Sequence, residues 1–552
     1  MRPAPRRASR ENRIPPRRLT RVAGRRSAPH HGGQDSHEST VPVRLNSAST
    51  LWPFLAFGAL LLFAFPASAA PGFESARCAF AVPRGERATC GFVAVPAHRE
   101  GARGRNLRLY VAVLHSQAPS PLPDPVIFLN GGPGDTAFGD DSDTWWQISR
   151  PIRQARDFIV FDQRGVGQSR PSLDCPELDR ISERNWKPGL TRAEVLALER
   201  PAAVACHDRL TRGGNDLSAF TTAEAAADVD DIAAALNYES YNLVGVSYGT
   251  RVALAVMRDF PDRVRSAVLD SVYPPGIFDL DTQPALIARV FRRLFGECQS
   301  SPDCDAAYPL LEARFDGMLA QLRAQPEMVR QGRRNIRVDD GIVLDALYAT
   351  FYDHTTLADL PELIDKVARG DLAALAPWIG PVFSGGPNRS DGLALSVACS
   401  ESWPFATRDA LAASVAASEP YGGNAAYALE WQVCDSWHVP PISAVDAVAV
   451  SSTTPTLLLA GSFDPITPPE YAYIAARTLT NGRVIEFRAG SHSILTTESC
   501  APDLVAHFID MPAAPLDTLC ADRTLAPRFT AAAGGLSDQP SAAAADTEAR
   551  SP

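Results

Sequence analysis

Positive charge is scarce in this sequence outside its first 69 residues. Those residues hold 11 Arg, no Lys and 3 acidic residues, so that 42 of the 53 basic and 60 of the 63 acidic residues belong to the rest of the chain. Nucleic acid and anionic membranes recruit proteins through basic surfaces. The acidic balance of residues 70–552 therefore argues against either as a partner.

Motifs typical of cofactor-dependent enzymes are also missing. The sequence contains no H-E-x-x-H, no P-loop and no complete G-x-G-x-x-G. These motifs bind zinc, a nucleoside triphosphate and a dinucleotide, respectively. None of the ten cysteines stands in a C-x-x-C pair, a common metal-binding spacing. We accordingly expect neither a metal nor a cofactor.

One apolar run near the start has the length of a signal peptide. Residues 51–65 are uncharged and apolar, and Ala67-Ser68-Ala69 follows them as an A-x-A cleavage site. A bilayer needs about 20 apolar residues, so the run is short for a membrane span. We expect residues 1–69 to be a basic leader with a cleaved signal peptide. The protein would then be secreted or periplasmic without a stable membrane anchor, whereas a retained anchor is the alternative.

The cysteines agree with export. All ten follow the leader, and an even number of cysteines in an exported chain indicates disulfides rather than metal ligation. Sequence alone does not determine connectivity, but short loops would join neighbours in chain order. The pairs expected in this way are Cys78 with Cys90, Cys175 with Cys206, Cys298 with Cys304, Cys399 with Cys434, and Cys500 with Cys520.

Short β-branched runs alternate with Ala- and Leu-rich helical patterns from residue 78 onward, which predicts a mainly parallel sheet flanked by helices. Several of the runs are apolar on both faces, as buried parallel strands are. Thr221 and Glu224 have the spacing of a capping box, which predicts a helix before the run at 241–247. The predicted strands are 107–116, 125–130, 157–165, 241–247, 264–272, 455–461 and 483–490.

Two stretches interrupt this alternation, residues 170–220 and residues 275–450. Residues 275–450 are much longer than an ordinary crossover and rich in helical patterns, so we expect a helical cap there, inserted after the strand and helix that follow residue 241. The flanking segments, 70–274 and 451–521, would form the two parts of the core. Residues 522–552 have little to bury, which predicts a disordered tail.

The motif Gly245-Val246-Ser247-Tyr248-Gly249 carries the first sign of chemistry. It is a G-x-S-x-G sequence that stands directly after an apolar strand and directly before a helical pattern. In this setting the motif is a nucleophile elbow, a tight turn that raises the serine hydroxyl above the sheet. Ser247 is therefore the predicted nucleophile.

A serine nucleophile needs a base and an acid that orients the base. His492 follows the last predicted strand and Asp464 follows the strand before it. The order Ser, Asp, His along the chain is that of the α/β-hydrolase fold. Asp270, after the strand at 264–272, is the rival acid; we favour Asp464 because it begins a loop just before the histidine strand.

The predicted reaction also needs donors for an oxyanion. The loop at 130–134, Asn-Gly-Gly-Pro-Gly, follows a predicted strand at the place where the fold supplies one donor. We assign the two N–H donors to Gly132 and to Tyr248, the residue after the nucleophile. The alternative for this loop is a Gly/Pro turn without a catalytic role.

These motifs together resemble a known family. The segments NGGPG, DQRGVGQS, GVSYGT, AGSFDPITPPEYA and GSHS are similar to those of the proline iminopeptidase and tripeptidyl aminopeptidase branch of the α/β-hydrolases. The resemblance covers residues 78–520 and is poorest in the cap. It departs from the family at Asn130, where the family loop usually begins with histidine.

The resemblance implies an aminopeptidase that uses an acyl-enzyme to release residues or tripeptides from peptides with a free N-terminus. In the family, acidic residues of the cap bind the substrate's amine, which makes Glu401 the candidate here; the alternative is a solvated acid beside a disulfide. An esterase or lipase-like hydrolase of small esters is the enzymatic alternative. A catalytically silent binding protein is the alternative from another class. The sequence leaves the oligomeric state open.

Overall fold

A computed structural model gives the fold of this chain. It describes residues 72–99, 105–139, 142–184, 190–278, 280–331, 334–352, 354–383, 388–423, 428–523 and 529–530. The predicted leader and most of the predicted tail lie outside the described residues. The segment boundaries expected from the sequence therefore remain predictions.

The described residues form a central nine-stranded sheet and a separate hairpin. In the central sheet the strands follow the order β1-β2-β3-β5-β4-β6-β7-β10-β11, and β8 pairs with β9. The first four strands of this order pair antiparallel, and the six from β5 to β11 pair parallel. The strands are β1 Phe73–Ala76, β2 Ala88–Val95, β3 Leu107–Leu114, β4 Val126–Leu129, β5 Phe158–Phe161, β6 Tyr241–Val246, β7 Val264–Asp270, β8 Glu327–Gln331, β9 Arg334–Val338, β10 Thr456–Gly461 and β11 Gly482–Phe487.

Helices cover the sheet and fill the long connection between β7 and β10. They are α1 Ser142–Ile148, α2 Pro176–Arg184, α3 Arg192–Arg212, α4 Thr222–Ala235, α5 Tyr248–Asp259, α6 Gln283–Ser300, α7 Pro302–Ala307, α8 Leu311–Ala324, α9 Asp340–Thr350, α10 Leu360–Ala368, α11 Ala376–Phe383, α12 Asp391–Glu401, α13 Arg408–Ser418, α14 Glu430–Trp437, α15 Pro469–Ala476, α16 Ile494–Thr497, α17 Ala501–Asp510 and α18 Leu519–Arg523. We call the connection from residue 271 to residue 455, which holds α6–α14 and the β8–β9 hairpin, the inserted segment.

All seven predicted strands are present, as β3–β7, β10 and β11. The side chains of β4, β5, β6 and β10 are buried along their whole length, as expected for parallel strands covered on both faces. β1 and β2 were not predicted. They form the antiparallel edge of the sheet, where β1 is largely exposed and so lacks the apolar run that marks the central strands.

The predicted helix before β6 is α4. Thr221 is its N-cap and accepts a hydrogen bond from the Glu224 N–H. The Glu224 carboxylate does not complete the capping box. It binds Arg99 instead, as part of an ion-pair cluster that joins α4 to the loop after β2.

Apolar side chains pack on both faces of the sheet. One core includes Val229, Val252 and Leu254 from α4 and α5, and the opposite one includes Val505 and Phe508 from α17. The inserted segment has a core of its own around Phe291, Phe315 and Leu347. The inserted segment is therefore stabilised by a packed interior of its own as well as by its contacts with the sheet.

The five predicted disulfides are all present. They join Cys78 to Cys90, Cys175 to Cys206, Cys298 to Cys304, Cys399 to Cys434 and Cys500 to Cys520. Among the helices of the described residues, none has both the length and the apolar character needed to cross a membrane.

Candidate active site

The turn between β6 and α5 presents Ser247. This residue has φ 56° and ψ −125°, a conformation that costs a non-glycine residue energy and is typical of a nucleophile elbow. The turn is tight because α5 starts against the end of β4: a Cβ on Gly249 would lie 2.0 Å from the Leu129 carbonyl oxygen. The backbone N–H of Ser247 donates to the Asp270 carbonyl oxygen at 2.9 Å, which anchors the turn to β7.

Asp464 and His492 follow the two neighbouring strands β10 and β11. Because these strands are parallel, their carboxyl ends lie at the same edge of the sheet as the end of β6. The two loops are also joined directly, since the Phe463 N–H donates to the Gly490 carbonyl at 2.9 Å. Gly461 permits this approach: a Cβ there would lie 2.1 Å from the Ser491 carbonyl oxygen.

The side chains of Asp464 and His492 are hydrogen-bonded. His492 Nδ1 lies 2.8 Å from Asp464 Oδ2, and the carboxylate also accepts from the Thr467 hydroxyl at 2.7 Å and from the N–H groups of Ile466 and Thr467. A carboxylate at Nδ1 assigns the proton to that nitrogen and leaves Nε2 as the basic atom.

Electrostatics agree with this pairing. Burial by itself raises the pKa of Asp464, but His492 and the Thr467 donors lower it below its ordinary 3.8. Burial by itself lowers the pKa of His492, but the charge and hydrogen bond of Asp464, with the charges of Asp270 and Asp135, raise it above its ordinary 6.5. Asp464 thus stabilises the charged imidazolium that a general base becomes when it accepts a proton.

Asp270 has a different set of partners. Its carboxylate accepts from the N–H groups of Ile494 and Leu495 at 3.0 and 2.7 Å. These residues begin α16, which starts two residues after His492. Burial raises the pKa of Asp270 to about 6, against the opposing effect of the two N–H donors. Asp270 therefore holds the backbone of the histidine loop, and Asp464 is the acid that contacts the imidazole.

The predicted oxyanion loop lies beside the nucleophile. A Cβ on Gly131 would lie 3.1 Å from Ser247 Cβ, and the next residue, Gly132, is exposed to the cavity. The Asn130 side chain donates to the Asp135 carbonyl at 3.0 Å and so closes the loop on itself. Asn130 therefore stabilises the loop in this chain, where the family usually has histidine.

Asp162, directly after β5, supports the same loop. Its carboxylate accepts from the Thr136 hydroxyl and the Ala137 N–H at 2.8 Å, and from the Gln168 N–H at 2.7 Å. Burial raises the pKa of Asp162 to about 6 even though these donors oppose the rise.

Ser247 and His492 line one cavity of about 870 Å³, within the size range of ligand pockets. Asn130, Gly132 and Pro133 form part of its wall from the core, and the inserted segment contributes residues such as Tyr348 and Tyr352. The Tyr352 ring packs against the His492 imidazole with 5.3 Å between centroids. Among the described residues no hydrogen bond joins Ser247 to His492 directly, a common situation in active sites without substrate.

The structure places Glu401 outside this cavity wall, so the amine-binding role predicted for it does not fit its surroundings. Glu401 is 1% exposed at the end of α12, and its carboxylate accepts from the Thr222 N–H and hydroxyl, both at 2.7 Å. Arg251 lies 3.8 Å from the same carboxylate. Thr222 in turn contacts the Tyr248 hydroxyl at 2.9 Å. Glu401 therefore stabilises the start of α4 and the helix that follows Ser247.

Two residues of the site do not stand out from the sequence. Thr467 is a third residue in the Asp464–His492 contact, and a hydroxyl three residues after an acid has no specific sequence signal. Asp135 lines the cavity directly after the glycine loop. An acid beside the predicted oxyanion loop is a signal that could have drawn attention to it.

Comparison with known proteins agrees with this geometry. Serine protease Hip1 of Mycobacterium tuberculosis is 27% identical over 454 residues, which cover 76% of this chain and 85% of the relative. Tripeptidyl aminopeptidase of Streptomyces lividans is 27% identical over 481 residues, 83% of this chain and 88% of the relative. Carboxylesterase B of M. tuberculosis is 26% identical over 457 residues, 79% of this chain and 86% of the relative.

These relatives confirm the resemblance to the tripeptidyl aminopeptidase branch that the motifs indicated. The family model described as alpha/beta hydrolase fold matches residues 124–499, a range that contains β4 to β11 and the three residues of the predicted Ser-Asp-His set. The sheet order and this match together confirm the predicted fold class, and the chain belongs to the α/β-hydrolase family.

Proposed function

We propose that this chain is an exported serine aminopeptidase that releases short N-terminal pieces from peptides through an acyl-enzyme on Ser247. The observation that carries the proposal is the hydrogen bond between Asp464 and His492. It lies at the edge of the sheet where Ser247 and His492 line one cavity. The names of the relatives Hip1 and tripeptidyl aminopeptidase support peptides as the substrate class.

In the proposed reaction, Ser247 Oγ attacks the carbonyl carbon of the scissile peptide bond while His492 Nε2 accepts the hydroxyl proton. The N–H groups of Gly132 and Tyr248 would stabilise the negative oxygen that forms. His492 then gives the proton to the departing amine. Water, deprotonated by the same nitrogen, releases the acyl group and restores the Ser247 hydroxyl.

Export is supported by the five disulfides, because such bonds persist in oxidising compartments outside the cytoplasm. The predicted signal peptide at residues 51–69 lies outside the described residues. N-terminal sequencing of the protein recovered from the culture medium and the periplasm would test it, with a new N-terminus after Ala69 as the expected result. Retention of the apolar run on membrane-bound protein would favour the anchor.

The activity itself is tested by a matched panel of chromogenic substrates. The panel contains aminoacyl and tripeptidyl anilides with a free amine, the N-acetylated version of each, and a short-chain ester. We expect cleavage of the free-amine anilides and a loss of cleavage on acetylation. Equal cleavage of acetylated and free peptides would instead indicate a peptidase that does not recognise the free N-terminal amine.

Hydrolysis of small esters is the second candidate function. Its specific support is the relative named carboxylesterase B, which matches a similar share of the chain at 26% identity. The same Ser247 mechanism would serve it. Cleavage of the ester without cleavage of any anilide in the panel would select this function over the aminopeptidase.

A further inference from the structure

Asp135 is an acidic residue of the cavity that the proposed mechanism does not use. It follows the glycine loop at 131–134, lines the cavity with Ser247 and His492, and has an exposed side chain. Within the described residues, its carboxylate makes no hydrogen bond and no ion pair closer than 4.0 Å. Its place in the wall, beside the predicted oxyanion loop, puts a negative charge close to where substrate would bind.

The backbone on both sides of Asp135 is fixed by the inserted segment. The Thr136 N–H donates to the Asn388 carbonyl at 2.9 Å, and the Ser390 N–H donates to the Gly134 carbonyl at 2.8 Å. The Asp135 carbonyl accepts from the Asn130 side chain. The residue is therefore positioned before substrate arrives, which reduces the entropy lost on binding.

Two opposing influences act on the carboxyl of Asp135. Desolvation by the surrounding protein raises the pKa of its carboxyl, and the positive charges of Arg389 and His492 oppose that rise. Arg389 has a second acid nearby, since its Nε lies 3.8 Å from Asp391 Oδ1. A ligand that brings its own positive charge would pair with the Asp135 carboxylate and offset its desolvation.

Two other acids line the cavity, Asp345 and Glu430, and both come from the inserted segment. Each has an interaction partner of its own. Glu401, the acid expected from the sequence, is satisfied by Thr222 outside the cavity wall. Asp135 is thus the cavity acid that has an exposed side chain and lies next to the predicted oxyanion loop.

We propose that Asp135 binds the protonated α-amine of the peptide substrate, an inference that rests on the proposed aminopeptidase function. The N-terminal ammonium group would donate hydrogen bonds to the Asp135 carboxylate while the scissile carbonyl lies between Ser247 and the loop at 131–132. The free N-terminus would then be bound by the residue that directly follows the predicted oxyanion loop.

The glycine loop connects Asp135 to the candidate nucleophile. A Cβ on Gly131 would lie 3.6 Å from Ser247 Oγ, and a Cβ on the adjacent Gly132 would lie 3.3 Å from Asp135 Cγ. Two consecutive glycines therefore lie between the Ser247 hydroxyl and the Asp135 carboxylate.

The test compares Asp135→Asn with the unchanged enzyme on each free-amine anilide and its N-acetylated partner. The measured quantity is kcat/KM for the free-amine anilide divided by kcat/KM for its N-acetylated partner. We expect this ratio to fall on the order of 10- to 100-fold in the variant, mainly through a higher KM for the free-amine substrate. In the unchanged enzyme, the ratio should also decline above about pH 8, where the substrate amine loses its proton. Asp345→Asn and Glu430→Gln remove the same charge from the same cavity, and we expect each to change the ratio less than about 3-fold.

Each outcome is decisive. An unchanged ratio in Asp135→Asn, with an unchanged enzyme that does prefer free amines, overturns the role of Asp135 and leaves the aminopeptidase in place. An unchanged enzyme that cleaves only the ester overturns the proposed function and this inference with it. Should Asp135→Asn fail to fold, as judged by thermal unfolding, Asp135→Ser places a smaller neutral side chain at the same exposed position and gives the same comparison.

Discussion

The imidazole of His492 contacts the carboxylate of Asp464 at 2.8 Å, across two parallel neighbouring strands. A second buried acid, Asp270, lies close enough to act on the charge of the same imidazole, yet it binds the backbone after His492 rather than the ring. The two acids thus have separate contacts: Asp464 binds the imidazole, and Asp270 holds the loop that carries it.

Replacement of the nucleophile is the most direct test of the mechanism. Ser247→Ala should lower kcat by at least about 10³-fold, because the covalent route through the acyl-enzyme is lost. It should also abolish labelling by a fluorophosphonate. Ser443→Ala, at an exposed serine away from the cavity, is the control and should label like the unchanged protein. Persistent labelling of Ser247→Ala would assign the nucleophile to another residue.

Replacement of Asp464 and of Asp270 gives a matched pair of variants. Asp464→Asn removes the charge that orients and stabilises the imidazole, so we expect kcat to fall on the order of 10³- to 10⁴-fold. Asp270→Asn leaves the Asp464–His492 hydrogen bond in place and weakens the support of the histidine loop, so a fall of about 10-fold is expected. Steady-state kinetics on the best substrate of the panel would measure both. A larger loss in Asp270→Asn than in Asp464→Asn would reverse the assignment made from the hydrogen bonds.

The raised pKa of His492 predicts the acid limb of the pH profile. A general base acts in its neutral form, so the rate should rise with pH through a midpoint above 6.5. Asp270→Asn removes one of the negative charges that favour the imidazolium, which should move the midpoint to lower pH. The rate of fluorophosphonate inactivation measures this limb without interference from a substrate amine. If Asp270→Asn has the same midpoint as the unchanged protein, the charge of Asp270 does not affect the pKa of His492.

Asp162 predicts how stability depends on pH. Its folded-state pKa of about 6 exceeds the ordinary 3.8, so the folded state binds the proton more tightly and this residue makes folding less favourable as pH rises from about 4 to 6. In Asp162→Asn that contribution is gone. The loss of stability relative to the unchanged protein should therefore be larger at pH 4 than at pH 7, by about 2 kcal/mol.

Denaturant unfolding at the two pH values measures this difference. Asp371→Asn, which removes an exposed carboxylate, gives the baseline for a change of one charge. A deficit in Asp162→Asn that grows between pH 4 and pH 7 would contradict the expected sign, and would mean that the three donors to this carboxylate outweigh its burial.

Local sequence was sufficient for the framework of the site. The strand before Ser247 and the helix after it follow from apolar runs and from the glycines of a tight turn, all of which act within a few residues. The disulfide pairs expected between neighbouring cysteines are present, and each bridge closes a loop of at most 35 residues. The parallel strands also placed the ends of β6, β10 and β11 at one edge, so the candidate triad could be predicted from its order along the chain.

What the sequence could not supply are the contacts between segments far apart in the chain. Glu401 and Thr222 are 179 residues apart, and their hydrogen bonds remove from the cavity an acid that the family resemblance had assigned to substrate. Asp135 faces the cavity because the chain near residue 390 pairs with the glycine loop. Hydrogen bonds likewise show that Asp464 contacts the imidazole of His492, whereas Asp270 binds the backbone that follows it. Residue type and order determined which groups could react, whereas tertiary packing decided which of the described carboxylates are satisfied within the protein and that the Asp135 side chain remains exposed at the cavity.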